Sequence, residues 1–376
     1  MSVGVIIVNY FTEELLRPLV HQVAGFPMVR QVVVFDNGGA APLTFGEGPV
    51  RVMGEGRNLG FAAAVNRAFA ALSTEQVLLL NPDIRLDDRC LARLIAAGER
   101  HDCPIVGPRF YWDDNRLFRL PPATGALTWL GADDHHALAG YLRGHYWAVH
   151  HDHYWAQGSP FRQPFLPGAC LLLASDWLRA RGRVFDERYF MYYEDTDLCI
   201  EAQCEGKTPL CVPGAEAVHY WDQSPDPEGG KARLMAAAGR ALNAKFALSG
   251  RGQPDPPPQQ PRVPTRPVMD LGLNIEPPRF ALPAHGGGCH FEIAVEPGFV
   301  PFAQAMLGPM GIVAASGPWV GRVRPWWAGL ARGAGAVKTW QFPASIWSRL
   351  RPGSYYARLR RADGGSECQW RWIRGA

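Results

Sequence analysis

The chain has 376 residues, enough for two domains, with 47% apolar residues and a formal net charge of only +3. Near-balanced charge argues against a nucleic-acid binder, which needs a basic stripe, although local clusters leave room for contact with anionic lipid head groups. The eight cysteines are scattered with no CxxC pair, which reads as reduced, buried thiols in a cytosolic protein rather than a disulfide framework.

Val3–Asn9 is an apolar, β-rich run. It lacks a basic leader and a cleavage site, so it reads as a first strand and not a signal peptide. No run approaches the roughly 18–20 apolar residues of a membrane span. The expected location is therefore cytoplasmic, at most peripheral at the inner face of a membrane. Thr12–Val23 has helical spacing with Thr12 as N-cap. Gln31–Phe35 and Val50–Met53 read as strands, Asn58–Leu72 as a helix, Gln76–Leu80 as a strand, Leu86–Ala97 as a helix and Pro104–Val106 as a short strand. Strands without strict alternation, separated by helices, predict a mainly parallel sheet covered on both faces. Ligands of such sheets sit beyond the carboxyl ends of the strands, and Asp36 and Asp83 fall at two of those ends.

From about 110 to 165 the rhythm breaks into a Trp-, Tyr- and His-rich excursion expected to lie over the site. Phe165–Ser175 resumes with a Pro167-Gly168-Ala169 turn and a strand, Asp186–Cys204 passes from loop to helix, Ala217–Trp221 is a strand end and Lys231–Leu248 an amphipathic helix. Arg251–Pro267 is dominated by proline and reads as an extended linker. Beyond it, Phe291–Val295, Val337–Phe342, Ser354–Leu359 and Gln369–Ile373 look like the strands of a small β-sandwich. The expected domains are 1–250 catalytic, 251–280 linker and 281–376 sandwich.

The chain resembles the family 2 inverting glycosyltransferases, especially their rhamnosyltransferase-like branch. The resemblance rests on VGVIIVNY at 3–10, VVVFDNG at 32–38, NLGFAAAVN at 58–66, LLLNPD at 78–83, LPGACLLL at 166–173, FDERYFMYYEDTDLC at 185–199 and VHYW at 218–221, seven segments in the family's order. It implies a GT-A-type nucleotide-sugar-binding domain that passes rhamnose or a hexose from a nucleotide-diphosphate sugar to a glycan or lipid-linked acceptor. It also implies roles. Asp36 meets the base or ribose, and Asn9 and Tyr10 line the same pocket. Asn58, Gly60, Phe61 and Asn66 shape its floor. Asn81-Pro82-Asp83 stands where the family carries its DxD metal motif, with the first acid replaced by Asn81. Asp83 and His219, with Mg²⁺ or Mn²⁺ as the cation, complete the diphosphate site. Asp195 is the general base, with Glu194 beside it.

Taken singly, these residues have structural readings. Asp-Asn-Gly is a common turn, Asn81-Pro82-Asp83 suits a turn before a capped helix, and acids near a helix start answer its dipole. Trp147, Tyr154 and Trp155 offer rings for stacking on an acceptor sugar, or pack within their own loop. A zinc site among His145, His150, His151 and His153 is a minor alternative. Gly54-Glu-Gly56-Arg-Asn-Leu-Gly60 has one residue too many for a dinucleotide fingerprint and follows the third strand; Arg57 there is placed to approach phosphate. A nucleotidyltransferase would need a glycine-rich basic loop near the first strand, and none is present. A non-catalytic glycan or sugar-nucleotide binder is the other alternative, against which the Glu194-Asp195 pair speaks.

Overall fold

The structure is a computed structural model describing residues 1–38, 43–46, 48–123, 150–226, 230–246, 269–282, 289–295, 303–308, 311–313, 338–361 and 366–375. By contacts the chain divides into two units. Among the described residues, the first holds 1–109, 122–123, 155–226 and 230–246. The second holds 110–121, 150–154 and the strands from 269 onward.

The first unit is built on a nine-stranded sheet. Strand β1 (Val3–Asn9) is buried along its whole length. It pairs in parallel with β2 (Val29–Asp36) and with β4 (Gln76–Leu80), and β2 pairs in parallel with β3 (Val50–Gly54). Helix α1 (Glu13–Ala24) connects β1 to β2, helix α2 (Phe61–Ala70) connects β3 to β4, and helix α3 (Asp88–Arg100) lies beyond β4. Beyond β4 the pairing changes hand. After the short β5 (Ile84–Arg85) and β6 (Ile105–Tyr111), the chain returns through β7 (Phe161–Arg162) and β8 (Cys170–Ala174) to β9 (Leu210–His219). The spatial order is β3-β2-β1-β4-β8-β6-β9-β5, with β7 beside β9 and β8 antiparallel to β4. Helix α4 (Ser175–Arg181), helix α5 (Glu194–Cys204) and helix α6 (Gly230–Phe246) complete the unit.

Local chemistry explains the boundaries. Asp87 caps α3 by accepting the Cys90 N–H at 2.8 Å. Thr12 precedes α1 but does not cap it with its side chain. Its hydroxyl donates instead to Asn9 Oδ1 at 3.0 Å. Helix α2 starts at Phe61, three residues later than the sequence pattern suggests, because Asn58 Oδ1 accepts the Gly60 N–H at 2.9 Å and closes a turn. Pro213 and Gly214 sit inside β9 and hide most of that strand from a propensity reading.

The second unit contains a six-stranded sheet in the order β10 (Met269–Asn274), β17 (Ser366–Arg374), β16 (Gly353–Arg361), β12 (Cys289–Ala294), β13 (Ala303–Gly308), β14 (Gly311–Val313). A two-stranded sheet pairs β11 (Arg279–Leu282) with β15 (Lys338–Gln341), and a short helix, α7 (Ala344–Trp347), follows. Phe280 of β11 stacks on Trp340 and meets Phe291, Trp370 and Trp372 edge-on with centroids 5.0–5.5 Å apart. Two sheets thus face each other across an aromatic core, as expected for a small sandwich. β10 and the start of β11 lie inside the stretch read as linker, whose proline-rich part, 251–267, lies outside the described residues. MDLGLN escaped the strand reading because it has no β-branched residue and a central glycine.

Phe110–Pro121 and residues 150–154 group with these strands. Phe118 is fully buried, and its ring lies 6.0 Å from Phe342 and 6.5 Å from Phe291. The backbones of Arg119 and Gln304 exchange hydrogen bonds at 2.7 and 3.0 Å. Asp152 accepts two bonds from Arg360 at 3.0 Å, while Arg360 and Arg358 both hold the fully buried Glu292.

Candidate active site

The carboxyl ends of β1 and β2 form the first wall of the site. Asn9, fully buried, donates to Asp36 Oδ1 at 3.0 Å and to Glu13 Oε1 at 3.2 Å. Its carbonyl oxygen accepts the N–H and hydroxyl of Thr12. All four hydrogen-bonding positions of the amide are thereby used. Asn9, which the resemblance implies lines the donor pocket, therefore orients Asp36 with an amide fully engaged by protein partners. Asp36 also accepts the Gly38 N–H through the same Oδ1 at 3.1 Å. Asn37, which sequence reasoning passed over, is buried and joins the two strand ends to α2, donating to Gly60 O at 3.0 Å and accepting the Leu59 N–H at 3.1 Å.

Gly60 has φ = +85°, and a Cβ built there would lie 2.4 Å from the Phe190 carbonyl oxygen. That carbonyl instead accepts the Phe61 N–H at 2.7 Å. Only glycine permits this close approach of α2 to the loop before α5. Asn66 fastens the same loop lower down. It donates to Phe185 O and Glu187 Oε1 and accepts the N–H groups of Val184 and Phe185. Asn66, expected to shape the floor of the donor pocket, is thus spent on the protein itself as a clamp on this loop.

The second wall comes from β4, β5, β8 and β9. Asn81 donates its backbone N–H to Ala169 O at 2.8 Å. Asp83 is 7% exposed, and its backbone carbonyl accepts the Tyr220 N–H. Pairing of Ile84 with His219 brings the imidazole beside Asp83, with Nε2 3.5 Å from Oδ2. Two adjacent ligand atoms on one cation at about 2.1 Å lie roughly 3 Å apart. The pair therefore fits a single ion after a small adjustment, and an oxygen–imidazole set suits a divalent first-row or alkaline-earth cation.

Helix α5 opens with Glu194 and Asp195. The two residues before it, Tyr192 and Tyr193, have φ = +73° and +64°, a conformation unfavourable for large side chains. Phe11, Trp221 and Asp222 share it. Asp195 is half-buried; its Oδ2 accepts the Gly168 N–H at 2.9 Å and its Oδ1 the Thr196 N–H at 2.7 Å. Burial raises its pKa above the ordinary range despite these bonds. Glu194 is 7% exposed, and its Oε2 has no hydrogen-bond partner among the described residues. Burial, and then the Asp195 charge, raise its pKa to about 8, so it is protonated at neutral pH.

These walls enclose two adjoining cavities. One, of about 210 Å³, is bordered by Tyr10, Asn37, Asn58, Gly60 and Phe190. The other, of about 300 Å³, is bordered by Asn81, Asp83, Glu194, Asp195, His219 and Trp221. Phe61, Met191, Ser224 and Lys231 border both. The structure thus gathers Asp83, Asp195 and His219 around one space. Asp36 borders neither cavity and stands next to Asn37, which borders the first. Lys231 carried no sequence signal, being a lone lysine at the start of a helix.

Trp147 and His145 lie outside the described residues. Tyr154 and Trp155 are 5% and 8% exposed; Trp155 packs its ring against the Arg109 guanidinium at 5.0 Å, so neither presents a face for sugar stacking. The large rings that do reach solvent near the site are Phe11, Phe190 and Trp221, each 42–44% exposed. Arg57 is exposed, pairs with Glu55 and borders neither cavity. His150 and His151 form no zinc set with His153. Among the described residues the one His, Cys, Asp or Glu group close enough to share a cation is Asp186, Asp197 and Glu201. The Lys245 ammonium already occupies it, 2.7–3.0 Å from each carboxylate. Each of the eight cysteines is a free thiol, and Cys204 is exposed.

Residues 4–166 match the model of glycosyl transferase family 2. An N-acetylglucosaminyl-diphospho-decaprenol L-rhamnosyltransferase of Mycobacterium tuberculosis is 29% identical over 185 residues, 46% of this chain and 59% of that protein. A low-salt glycan biosynthesis hexosyltransferase of Haloferax volcanii is 24% identical over 221 residues, 54% of this chain and 62% of the relative. The chain therefore spans about three-fifths of these relatives. Among solved structures, a mannosyltransferase from Pyrobaculum calidifontis in complex with GDP-Man and Mn²⁺ aligns with a TM-score of 0.41 at 15% identity, covering 66% of this chain and 76% of that one. The first unit is an α/β domain, a separate C-terminal sheet domain accompanies it in the chain, and over residues 4–166 the sequence matches the model of glycosyl transferase family 2.

Proposed function

We propose that this protein is an inverting glycosyltransferase that moves rhamnose or a hexose from a nucleotide-diphosphate sugar to a glycan or lipid-linked acceptor in surface polysaccharide synthesis. The observation that carries this reading is the convergence of Asp83, His219, Glu194 and Asp195 on one cavity that adjoins a second at the ends of β1 and β2. The nucleoside occupies the first cavity, against Tyr10, Asn58, Gly60 and Phe61, with Asp36, held by Asn9, next to Asn37 of its lining. Asp83 and His219 hold a divalent cation, Mg²⁺ or Mn²⁺. When bound, that ion supplies positive charge against the departing diphosphate.

Asp195 takes the proton of the acceptor hydroxyl. The acceptor oxygen then forms its bond to the anomeric carbon as the bond to the diphosphate oxygen breaks, inverting that carbon. Gly168 and Thr196 fix the carboxylate of Asp195 through two N–H bonds. Glu194, neutral beside it, keeps the pair at one negative charge. Phe11, Phe190 and Trp221 offer surfaces for an acceptor, and they suit a lipid-linked one at a membrane surface. No helix among the described residues is long and apolar enough to cross a membrane.

The test is Asp195→Asn in the full chain, assayed for sugar transfer and for donor binding. We expect the rate to fall about 10²–10⁴-fold, the usual contribution of a general base, with donor affinity kept. Full activity in a folded, donor-binding variant would refute the assignment. A wild-type protein that binds donor but neither transfers nor hydrolyses it would instead be a sugar-nucleotide binder.

A further inference from the structure

Of the four residues that border both cavities, only Lys231 carries a charge. It lies in the first turn of α6, with its side chain 15% exposed. The ammonium donates to Asp222 Oδ1 at 2.5 Å and to the Ser224 carbonyl at 2.7 Å. Its backbone N–H donates to Asp226 Oδ1 at 2.9 Å. Among the described residues these contacts use two of the three ammonium protons. The Asp222 side chain is 44% exposed, and an ion pair with a partner so open to water is weakly held. Asp222 and Trp221 both have φ near +55°, so the turn that carries the acid is in an unfavourable backbone conformation.

A nucleotide-diphosphate sugar has a fixed order of parts: nucleoside, diphosphate, sugar. With the nucleoside in the first cavity and the reacting carbon in the second, the diphosphate crosses where they meet. We propose that Lys231 is the protein's own cation for that diphosphate, and that Asp222 is a placeholder whose ion pair is exchanged for phosphate oxygens when donor binds. The inference rests on the proposed function. It adds a cation from the residues after β9, separate from Asp83 and His219. It also makes the 221–224 turn responsive to donor, because the exchange removes one of the bonds holding it.

The test measures binding to the full chain by titration calorimetry, without added metal and with Mg²⁺, using uridine and thymidine diphosphates and their parent nucleosides by competition. Lys231→Met should weaken diphosphate binding about 10- to 100-fold, the range of a hydrogen-bonded charge, and leave nucleoside binding unchanged. Lys231→Arg should restore most of the loss, and Asp222→Asn should keep or tighten diphosphate binding. The proposal is overturned if Lys231→Met binds diphosphate like wild type. Equal loss of nucleoside and diphosphate also overturns it, as does Asp222→Asn weakening diphosphate as severely as Lys231→Met, since each marks a purely structural ion pair. Failure of the wild type to bind any nucleotide would remove the proposed function, and this inference with it. Normal wild-type binding with unaffected variants would remove this inference alone.

Discussion

Glu194 and Asp195 are adjacent carboxylic acids in different surroundings, and the difference has a measurable consequence. Glu194 is buried, and its pKa stands at about 8 instead of 4.5. The folded protein therefore holds that proton more tightly than the unfolded chain does. Its contribution to stability is complete below about pH 4.5 and is lost as pH rises through about 8. Glu194→Gln keeps the shape without the ionisation. Relative to wild type, the variant should gain stability steadily between pH 5 and pH 9, reaching a few kcal/mol at the alkaline end. Denaturant titrations at several pH values would show it, and parallel curves across that range would contradict the burial of Glu194. The asparagines mark the limit of what sequence shows at this scale. Asn9 and Asn66 sit in segments that announce the site, but a sequence does not reveal whether an amide faces a ligand or the protein. Both proved to be saturated by protein partners.

At the scale of elements, the approach of α2 to the loop 184–193 sets the form of both cavities. Gly60 is its closest point. Gly60→Ala places a methyl group 2.4 Å from the Phe190 oxygen at a backbone angle that L side chains rarely adopt. We expect a loss of about 1–3 kcal/mol and weaker nucleotide binding, read by chemical denaturation and by titration. An alanine variant as stable as the wild type would mean that the loop does not rest on α2. Lys245 of α6 closes the other side of α5, gathering Asp186, Asp197 and Glu201. Burial raises Asp197, whereas in Asp186 the Arg188 N–H and Lys245, and in Glu201 Lys245 and Arg181, outweigh burial and lower the carboxyl. The parallel strands were legible because each is a short apolar run stopped by turn residues, and Asp83 was legible from its place after β4. β9, which delivers His219, was legible only at its last residues because Pro213 and Gly214 interrupt it. Lys231 was not legible, since it depends on where two cavities meet.

For the whole molecule, the second unit responds to acid. His151 is buried, and desolvation lowers its pKa from 6.5 to about 3, against the raising influence of Asp152. Burial lowers His290 as well. The groups around His151 are Asp152, Arg119 and His290. A histidine whose folded pKa is depressed contributes stability above about pH 6.5, and that contribution is lost as pH falls towards 3. Acidification from pH 7 to pH 4 should therefore loosen the second unit, visible in the fluorescence of Trp370 and Trp372. His151→Leu should move that transition to lower pH, and an unchanged midpoint would contradict it. The sandwich itself was readable from strands spaced between glycine and proline turns. The membership of Phe110–Pro121 was not, because nothing local distinguishes aromatic residues that cover a site from aromatic residues that fill the core of another unit.

That membership governs how the chain is made. Tyr111, Trp112 and Phe118 leave the ribosome more than 150 residues before the strands at 289–294 and 366–374 that share their unit. During synthesis this aromatic stretch must wait, uncovered, until translation is nearly finished. A fragment cut at the proline-rich stretch would not be a trimmed enzyme but a chain stranded at that intermediate stage, with its aromatic surface open to aggregation. Expression trials that remove the C-terminal strands should accordingly yield inclusion bodies, unless 110–121 is removed with them or recoded with polar residues.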